Sequence, residues 1–219
     1  RAVAVALREA AADPDARGVV LTGEGAFCAG GNLKGKMFQQ ESSAEQRTQE
    51  LYSGVHELMR AIVDVPLPTV AAIDGPAIAL GFDMALACDS RFIGPDGWCL
   101  QGWGKLGFVP GAGGELLLRL RSPNALWALL ETQPRIDAAY AERLGLGEST
   151  NGSRARERAI ARVQALAAMS RESLMAYVEL NRAELRERLD AALPVAAKKQ
   201  IALLAASGLN ERISAALKR

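Results

Sequence analysis

Two glycine-rich turns carry the chemistry open to this chain. The first, Gly75-Pro76-Ala77-Ile78-Ala79-Leu80-Gly81, follows the short, apolar, β-branched run Thr69-Val70-Ala71-Ala72-Ile73. Beyond it Phe82, Ala85, Leu86 and Ala87 are spaced for a helix face, so the pattern predicts strand, tight Gly-Pro turn, then helix. A helix beginning here points unpaired N–H groups and the positive end of its dipole into the space above the strand. That suits an anion, or an oxygen that becomes one during a reaction. The second turn, Phe27-Cys28-Ala29-Gly30-Gly31-Asn32-Leu33, follows another apolar strand over residues 18–23. Two such turns can each place one N–H on the same oxygen. Asp83 lies two residues past the first turn, Asp74 just before it, and the chain has 1 histidine, His56.

Around these turns the sequence supplies a helix over residues 2–12 that stops at Asp13-Pro14-Asp15. A polar stretch over 34–49 reads as a loop leading into a helix. A helix over 51–63, carrying Leu51, Val55, Leu58, Met59 and Ile62, ends at Pro66-Leu67-Pro68. Residues 91–94 form a further strand, 115–120 and 125–130 short helices. Residues 154–219 are almost all helix formers, with breaks expected near Pro194 and Ser207-Gly208 and apolar stripes at Ile160, Val163, Leu166 and at Leu174, Tyr177, Val178.

Composition narrows the functional classes. A chain of 219 residues with 49% apolar content can bury one good core. Its 26 basic and 25 acidic side chains give a net charge of +1, so no global field draws it to nucleic acid or to an anionic membrane. No apolar run reaches the roughly 20 residues needed to cross a bilayer. Its 3 cysteines, an odd number, fit a reducing compartment, and Cys28 reads as a small apolar filler. Glu115, Asp74 and Asp89 read as helix-end and turn residues, and Lys198, Lys199, Lys218 and Arg219 as solvated helix charges.

Three motifs, Phe27-Cys28-Ala29-Gly30-Gly31-Asn32-Leu33, then Gly75-Pro76-Ala77 through Gly81-Phe82-Asp83 to Ala87-Cys88-Asp89, then Leu106-Gly107-Phe108-Val109-Pro110-Gly111-Ala112-Gly113-Gly114, resemble the crotonase (enoyl-CoA hydratase/isomerase) superfamily in order and spacing. The resemblance implies an α/β fold, a crotonase-like spiral of ββα units over residues 1–150 without the family's N-terminal strands. It implies a C-terminal helical region at 151–219 that covers the site and mediates oligomerisation. It also implies an acyl-CoA substrate, with coenzyme A present only as part of the thioester, and no separate cofactor or metal. The expected assembly is a homotrimer or dimer of trimers in the cytoplasm, active in fatty-acid metabolism.

Carried over residue by residue, the oxyanion-hole donors fall on Gly31 and Leu80, where the family usually has a small residue in place of the leucine. Substrate contacts fall on Ala29, Asn32, Leu33, Trp103, Phe108 and Pro110. The first of the two hydratase carboxylates falls on Asp83, one methylene shorter than the usual Glu, and the second falls on Trp103. Tryptophan exchanges no proton with water at neutral pH, which argues against ordinary hydration. The resemblance to the 4-chlorobenzoyl-CoA dehalogenase branch makes His56 a catalytic candidate, but that branch's nucleophilic Asp is Gly111 here. Trp98, Trp103 and Phe108 could stack on an aromatic acyl group, or simply pack a core. The expectation is therefore an enzyme moving a proton next to a thioester through Asp83. The alternatives are a non-catalytic acyl-CoA-binding protein or a thioester hydrolase or dehalogenase-like enzyme.

Overall fold

The computed structural model describes residues 1–33, 42–206 and 208–217. Helix α1 (Ala2–Ala12) leads into strand β1 (Val19–Leu21). Helix α2 (Ala44–Glu50), a π-helical turn (Leu51–His56) and helix α3 (Glu57–Asp64) then run end to end. The first half of the polar loop expected over 34–49, residues 34–41, lies outside the described residues. Its end does not: α2 starts at a capping box in which Ser43 accepts from the Gln46 amide and Gln46 accepts from that of Ser43.

Strand β2 (Thr69–Ile73) is buried along its whole length, as its unbroken apolar run requires between two layers. Its continuation corrects the simple strand–turn–helix expectation. A second strand, β3 (Pro76–Ile78), intervenes before helix α4 (Leu80–Ala87). Pro76 is tolerated because it occupies the first position of that strand. The unit then repeats as β4 (Ser90–Ile93), β5 (Trp98–Leu100), a 3₁₀ turn (Gly104–Leu106) and α5 (Gly114–Arg121). Helix α6 (Ala125–Thr132), strand β6 (Ile136–Asp137), helix α7 (Ala138–Arg143) and strand β7 (Glu148–Ser149) complete the core.

First strands and second strands of these units collect in separate sheets. One sheet is parallel, in the order β1-β2-β4-β7; the other has the order β3-β5-β6. The Cys28 turn joins the second sheet through a parallel bridge to Ala77. The β2-β3-α4 and β4-β5-α5 units thus each contribute one strand to each sheet and then a helix, which is the ββα spiral.

Helices α8 (Ala155–Leu166), α9 (Arg171–Leu204) and α10 (Leu209–Leu217) follow. Among the described residues no helix is long and apolar enough to cross a membrane. Helix α8 covers the parallel sheet, burying Ala155 and Ala159 against Val70, Ala72 and Phe92, and Asp74 caps it by accepting from the amides of Ala155 (2.6 Å) and Arg156 (3.1 Å). The break expected at Pro194 does not occur, because Pro194 lies inside α9. Burial of Leu189, Leu193 and Ala197 around it outweighs the roughly 3 kcal/mol that an interior proline costs a helix. The expected apolar stripes are only partly used: Leu174 and Val178 are buried, whereas Tyr177 is 66% and Ile160 40% exposed.

Arg182 ties α9 to the core. Its guanidinium is fully buried and donates to the carbonyls of Ile62, Val63, Val65 and Leu67, to Thr69 Oγ1 and to the Asp89 carboxylate. Three of these carbonyls are at or just past the C-terminal end of α3, where a cation is favoured by the helix dipole. Burial alone would raise the Asp89 pKa, but the hydrogen bonds and charge of Arg182, with the Thr69 donors, hold it below the usual carboxylate value.

Candidate active site

The two turns meet because small residues let their backbones touch. Ile78 N donates to Cys28 O (2.9 Å) and Cys28 N to Pro76 O (3.2 Å). A Cβ at Gly81 would collide with the Cys28 carbonyl oxygen, and one at Gly30 would lie 2.9 Å from Ile78 O. Gly30 also has φ +90°, open to glycine and costly to other residues.

At the start of α4, Ala79 holds φ 51° and ψ −110°, a conformation that costs a non-glycine residue about 1–3 kcal/mol. The strain sits where the chain reverses to present the Leu80 amide at the first helical position. Among the described residues, no carbonyl or side chain accepts from the amides of Gly31 or Leu80. The two turns therefore leave two unspent backbone donors, one on Gly31, which lines a cavity, and one on Leu80, next to the lining residue Ala79.

That cavity has a volume of about 640 Å³ and is lined by Ala29, Gly31, Leu33, Ala79 and Trp103, with Gln133, Lys105, Arg135 and Arg212 on its polar side. Trp98 forms another part of the wall, with the Arg135 guanidinium stacked 4.3 Å from its ring centroid. Leu80 packs beside it on a cluster of Ala79, Trp103, Leu106 and Phe108, which Leu204 of α9 and Ile213 of α10 close from above. Arg212 anchors α10 by donating to Leu106 O at 2.9 Å.

The ionisable candidates lie behind this wall. Asp83 is 2% exposed, on a helix buried on every side from Gly81 to Ala87. Its Oδ2 accepts from Trp103 Nε1 (3.2 Å), and its Oδ1 presses on Gly114, where any Cβ would overlap it. Burial pushes its pKa up to about 8, against the opposing effect of the indole donor. Trp103 thus faces the cavity with its ring and Asp83 with its N–H. The two residues expected at the hydratase carboxylate positions are thus hydrogen-bonded to each other.

His56 is wholly buried at the end of the π-helical turn. Its Nε2 lies 2.8 Å from Gly111 O, so Nε2 carries the proton and donates, and Nδ1 keeps a lone pair. Burial lowers its pKa, partly offset by the Gly111 carbonyl, with Arg60 lowering it further. His56 and Asp83 do not face each other directly: one meets the 110–114 turn at Gly111, the other at Gly114.

Of the remaining expected contacts, Phe108 and Pro110 line a second, apolar groove of about 830 Å³ between α5, α6 and α9. Asn32 is exposed at the end of its turn, and Glu115 is exposed and paired with Arg119. Lys218 and Arg219 lie outside the described residues. The cations at the cavity are Lys105, Arg135 and Arg212, which sequence reasoning passed over because each sits singly in a turn or helix without a charge cluster. Gln200 was also missed, although a signal exists: it is the polar member of the buried α9 stripe Leu193, Ala197, Gln200, Leu204.

Comparison with known proteins identifies the family. The sequence profile of the enoyl-CoA hydratase/isomerase family matches residues 2–212. A probable enoyl-CoA hydratase of Mycobacterium tuberculosis is 38% identical over 143 residues, which are 64% of this chain and 54% of that protein. An enoyl-CoA isomerase/hydratase of Mycosarcoma maydis is 35% identical over 138 residues, 61% of this chain and 48% of the relative. The chain thus spans about half the length of the curated relatives it matches. The crystal structure of an enoyl-CoA hydratase from Mycobacterium avium superposes with a TM-score of 0.82 at 31% identity, over 99% of this chain and 84% of the other. One from Bacillus halodurans shares the fold, with a TM-score of 0.89 at 23% identity over 98% and 87% of the two chains. The chain belongs to the enoyl-CoA hydratase/isomerase family, within the crotonase superfamily.

Proposed function

We propose that this protein is an enzyme that binds an acyl-CoA thioester in the 640 Å³ cavity and moves a proton next to the thioester carbonyl. In this reading the amides of Gly31 and Leu80 hold the thioester oxygen as it becomes an enolate, each donor contributing roughly 10²–10³ in rate. Backbone donation makes no demand on the side chain, so Leu80 serves as a glycine would. Ala29, Asn32, Leu33 and Trp103 border the bound thioester, with Phe108 and Pro110 behind them. Lys105 and Arg135, exposed at the cavity and without a carboxylate partner among the described residues, meet the phosphates of coenzyme A.

Asp83 is the acid and base of the proposed reaction. A pKa raised to about 8 makes its carboxylate a stronger base than a solvated aspartate, while keeping an ionised fraction near neutrality. One carboxyl group suffices for a double-bond shift, in which the proton taken from the α-carbon returns at the γ-carbon. Adding water across a double bond calls for a second acid–base group, and Trp103 cannot be one. Isomerisation is therefore the reaction the site favours. The observation that carries this reading is the pairing of two unspent amides with a single buried, proton-holding carboxyl.

One observation favours a second reading, an acyl-CoA-binding protein without catalysis. Asp83 does not line the cavity, and Trp103 stands between them. In the catalytic reading the indole must turn aside when the thioester enters. Incubating enoyl- and aroyl-CoA thioesters with the protein in heavy water separates the cases by mass spectrometry. Deuterium at the α- or γ-carbon marks isomerase-type transfer, addition of water marks hydration, and free CoA marks hydrolysis. Unchanged thioesters that still raise the melting temperature leave the binder.

The proposal includes a homotrimer or dimer of trimers in the cytoplasm. Trp127, Tyr177, Leu180 and Val195 are 59–79% exposed on α6 and α9, which leaves large apolar side chains for a second copy to cover. Sedimentation analysis tests the assembly.

A further inference from the structure

Two buried polar side chains meet the 110–114 turn at Gly111, three residues before the glycine that abuts Asp83. His56 Nδ1 and Gln200 Nε2 are both buried without a hydrogen-bond partner, on residues that are 0% and 1% exposed. They flank the same residue. His56 Nε2 is 2.8 Å from Gly111 O, and the Gln200 carboxamide presses so closely on the Gly111 Cα that any Cβ there would overlap it. Leu51, from the start of the π-helical turn, packs on the same glycine.

The two orphaned atoms are chemically complementary. Because Nε2–H is committed to the Gly111 carbonyl, Nδ1 of the neutral ring is an acceptor, while the carboxamide nitrogen is a donor. A hydroxyl bound between them would satisfy both, by donating to Nδ1 and accepting from Gln200. A carboxylate, which only accepts, would meet the lone pair of Nδ1. An unmet buried polar atom costs about 1–3 kcal/mol, and two such side chains against one glycine give a bound polar group something to satisfy.

The place of the site relative to the reacting carbon follows from the chain. Gly111 carries this pair and Gly114 abuts Asp83, and three successive Cα steps separate them by at most about 11 Å. An acyl group with its α-carbon at Asp83 reaches that far with a short to medium chain.

We propose that His56 and Gln200 form a hydroxyl-recognition subsite at Gly111, selecting thioesters whose acyl group carries an alcohol or phenol remote from the carbonyl. His56 then acts as a specificity residue, which gives the lone histidine a place without requiring it to reach the reacting atoms. The inference rests on the acyl-CoA reading above.

The test measures binding of matched acyl-CoA pairs, with and without a terminal hydroxyl, to the full chain by calorimetry. The wild type is expected to favour the hydroxylated member by about ten-fold or more, because the plain analogue leaves both buried atoms unpaired. Gln200→Leu and, separately, His56→Phe are expected to narrow that ratio to less than about two-fold. If both members bind the wild type equally, the subsite is refuted while the acyl-CoA reading stands. If neither binds, the acyl-CoA reading falls and takes the subsite with it. Should a variant fail to fold, a crystal structure of the wild type with the hydroxylated thioester decides. A substrate oxygen between Nδ1 and Nε2 supports the subsite, and a water there with the substrate hydroxyl elsewhere overturns it.

Discussion

Replacing Asp83 by asparagine should make the protein more stable and less active, and the stability gain should depend on pH. In the folded chain the Asp83 carboxyl keeps its proton up to about pH 8, whereas in the unfolded chain it releases it near pH 4. Between those values the folded state holds a proton that the unfolded state does not, so stability falls as pH rises, by about 1.4 kcal/mol per pH unit. The accumulated loss at pH 7 is about 4 kcal/mol, a large part of the 5–15 kcal/mol typical of a domain. Asparagine has nearly the same shape, still accepts from Trp103, and does not titrate. Its amide hydrogens against Gly114 take back about 1–3 kcal/mol, so the net gain at pH 7 is at least about 1 kcal/mol. The slope is untouched by that correction. Urea unfolding of both proteins between about pH 5 and 9 should give curves that diverge as pH rises to about 8 and then run parallel. Curves that stay parallel throughout would show that Asp83 is not held protonated, and the account of its environment would fail.

Other substitutions probe neighbouring steps. Trp103→Phe removes the N–H that favours the ionised carboxyl, so the rising limb of a pH–rate profile should move to higher pH, by about one unit. Gly81→Ala drives a Cβ into the Cys28 carbonyl and separates the two turns; turnover should drop about 10²–10³-fold, read by single-turnover kinetics alongside a melting curve. Arg182→Met strips four carbonyls and Asp89 of their donor, and denaturant unfolding should show a loss of about 3–5 kcal/mol.

The turns were readable in the sequence because glycine and small residues leave a plain mark where backbones must approach. The spiral was readable only through resemblance: β3 is a three-residue strand opened by Pro76, and local pattern cannot tell it from the end of a turn. The α9 helix runs through Pro194 because tertiary burial overrides a local preference that sequence reads first. Asp83 was identifiable as a candidate, but its proton was not. Whether a carboxyl faces a cavity or hides behind an indole depends on Trp103 and Gly114, which are distant in sequence. Gln200 was hidden for the opposite reason, since one polar residue in a long helix carries no meaning until Gly111 and His56 are seen against it.

The central claim is that Asp83 moves the proton. It is tested most directly by the rate at which wild type and Asp83→Asn introduce solvent deuterium into a bound β,γ-enoyl-CoA. The account predicts incorporation by the wild type that rises with pH through an inflection near 8, and its loss in Asp83→Asn with thioester binding retained. Equal incorporation by both proteins, or none by either while both bind, would contradict it.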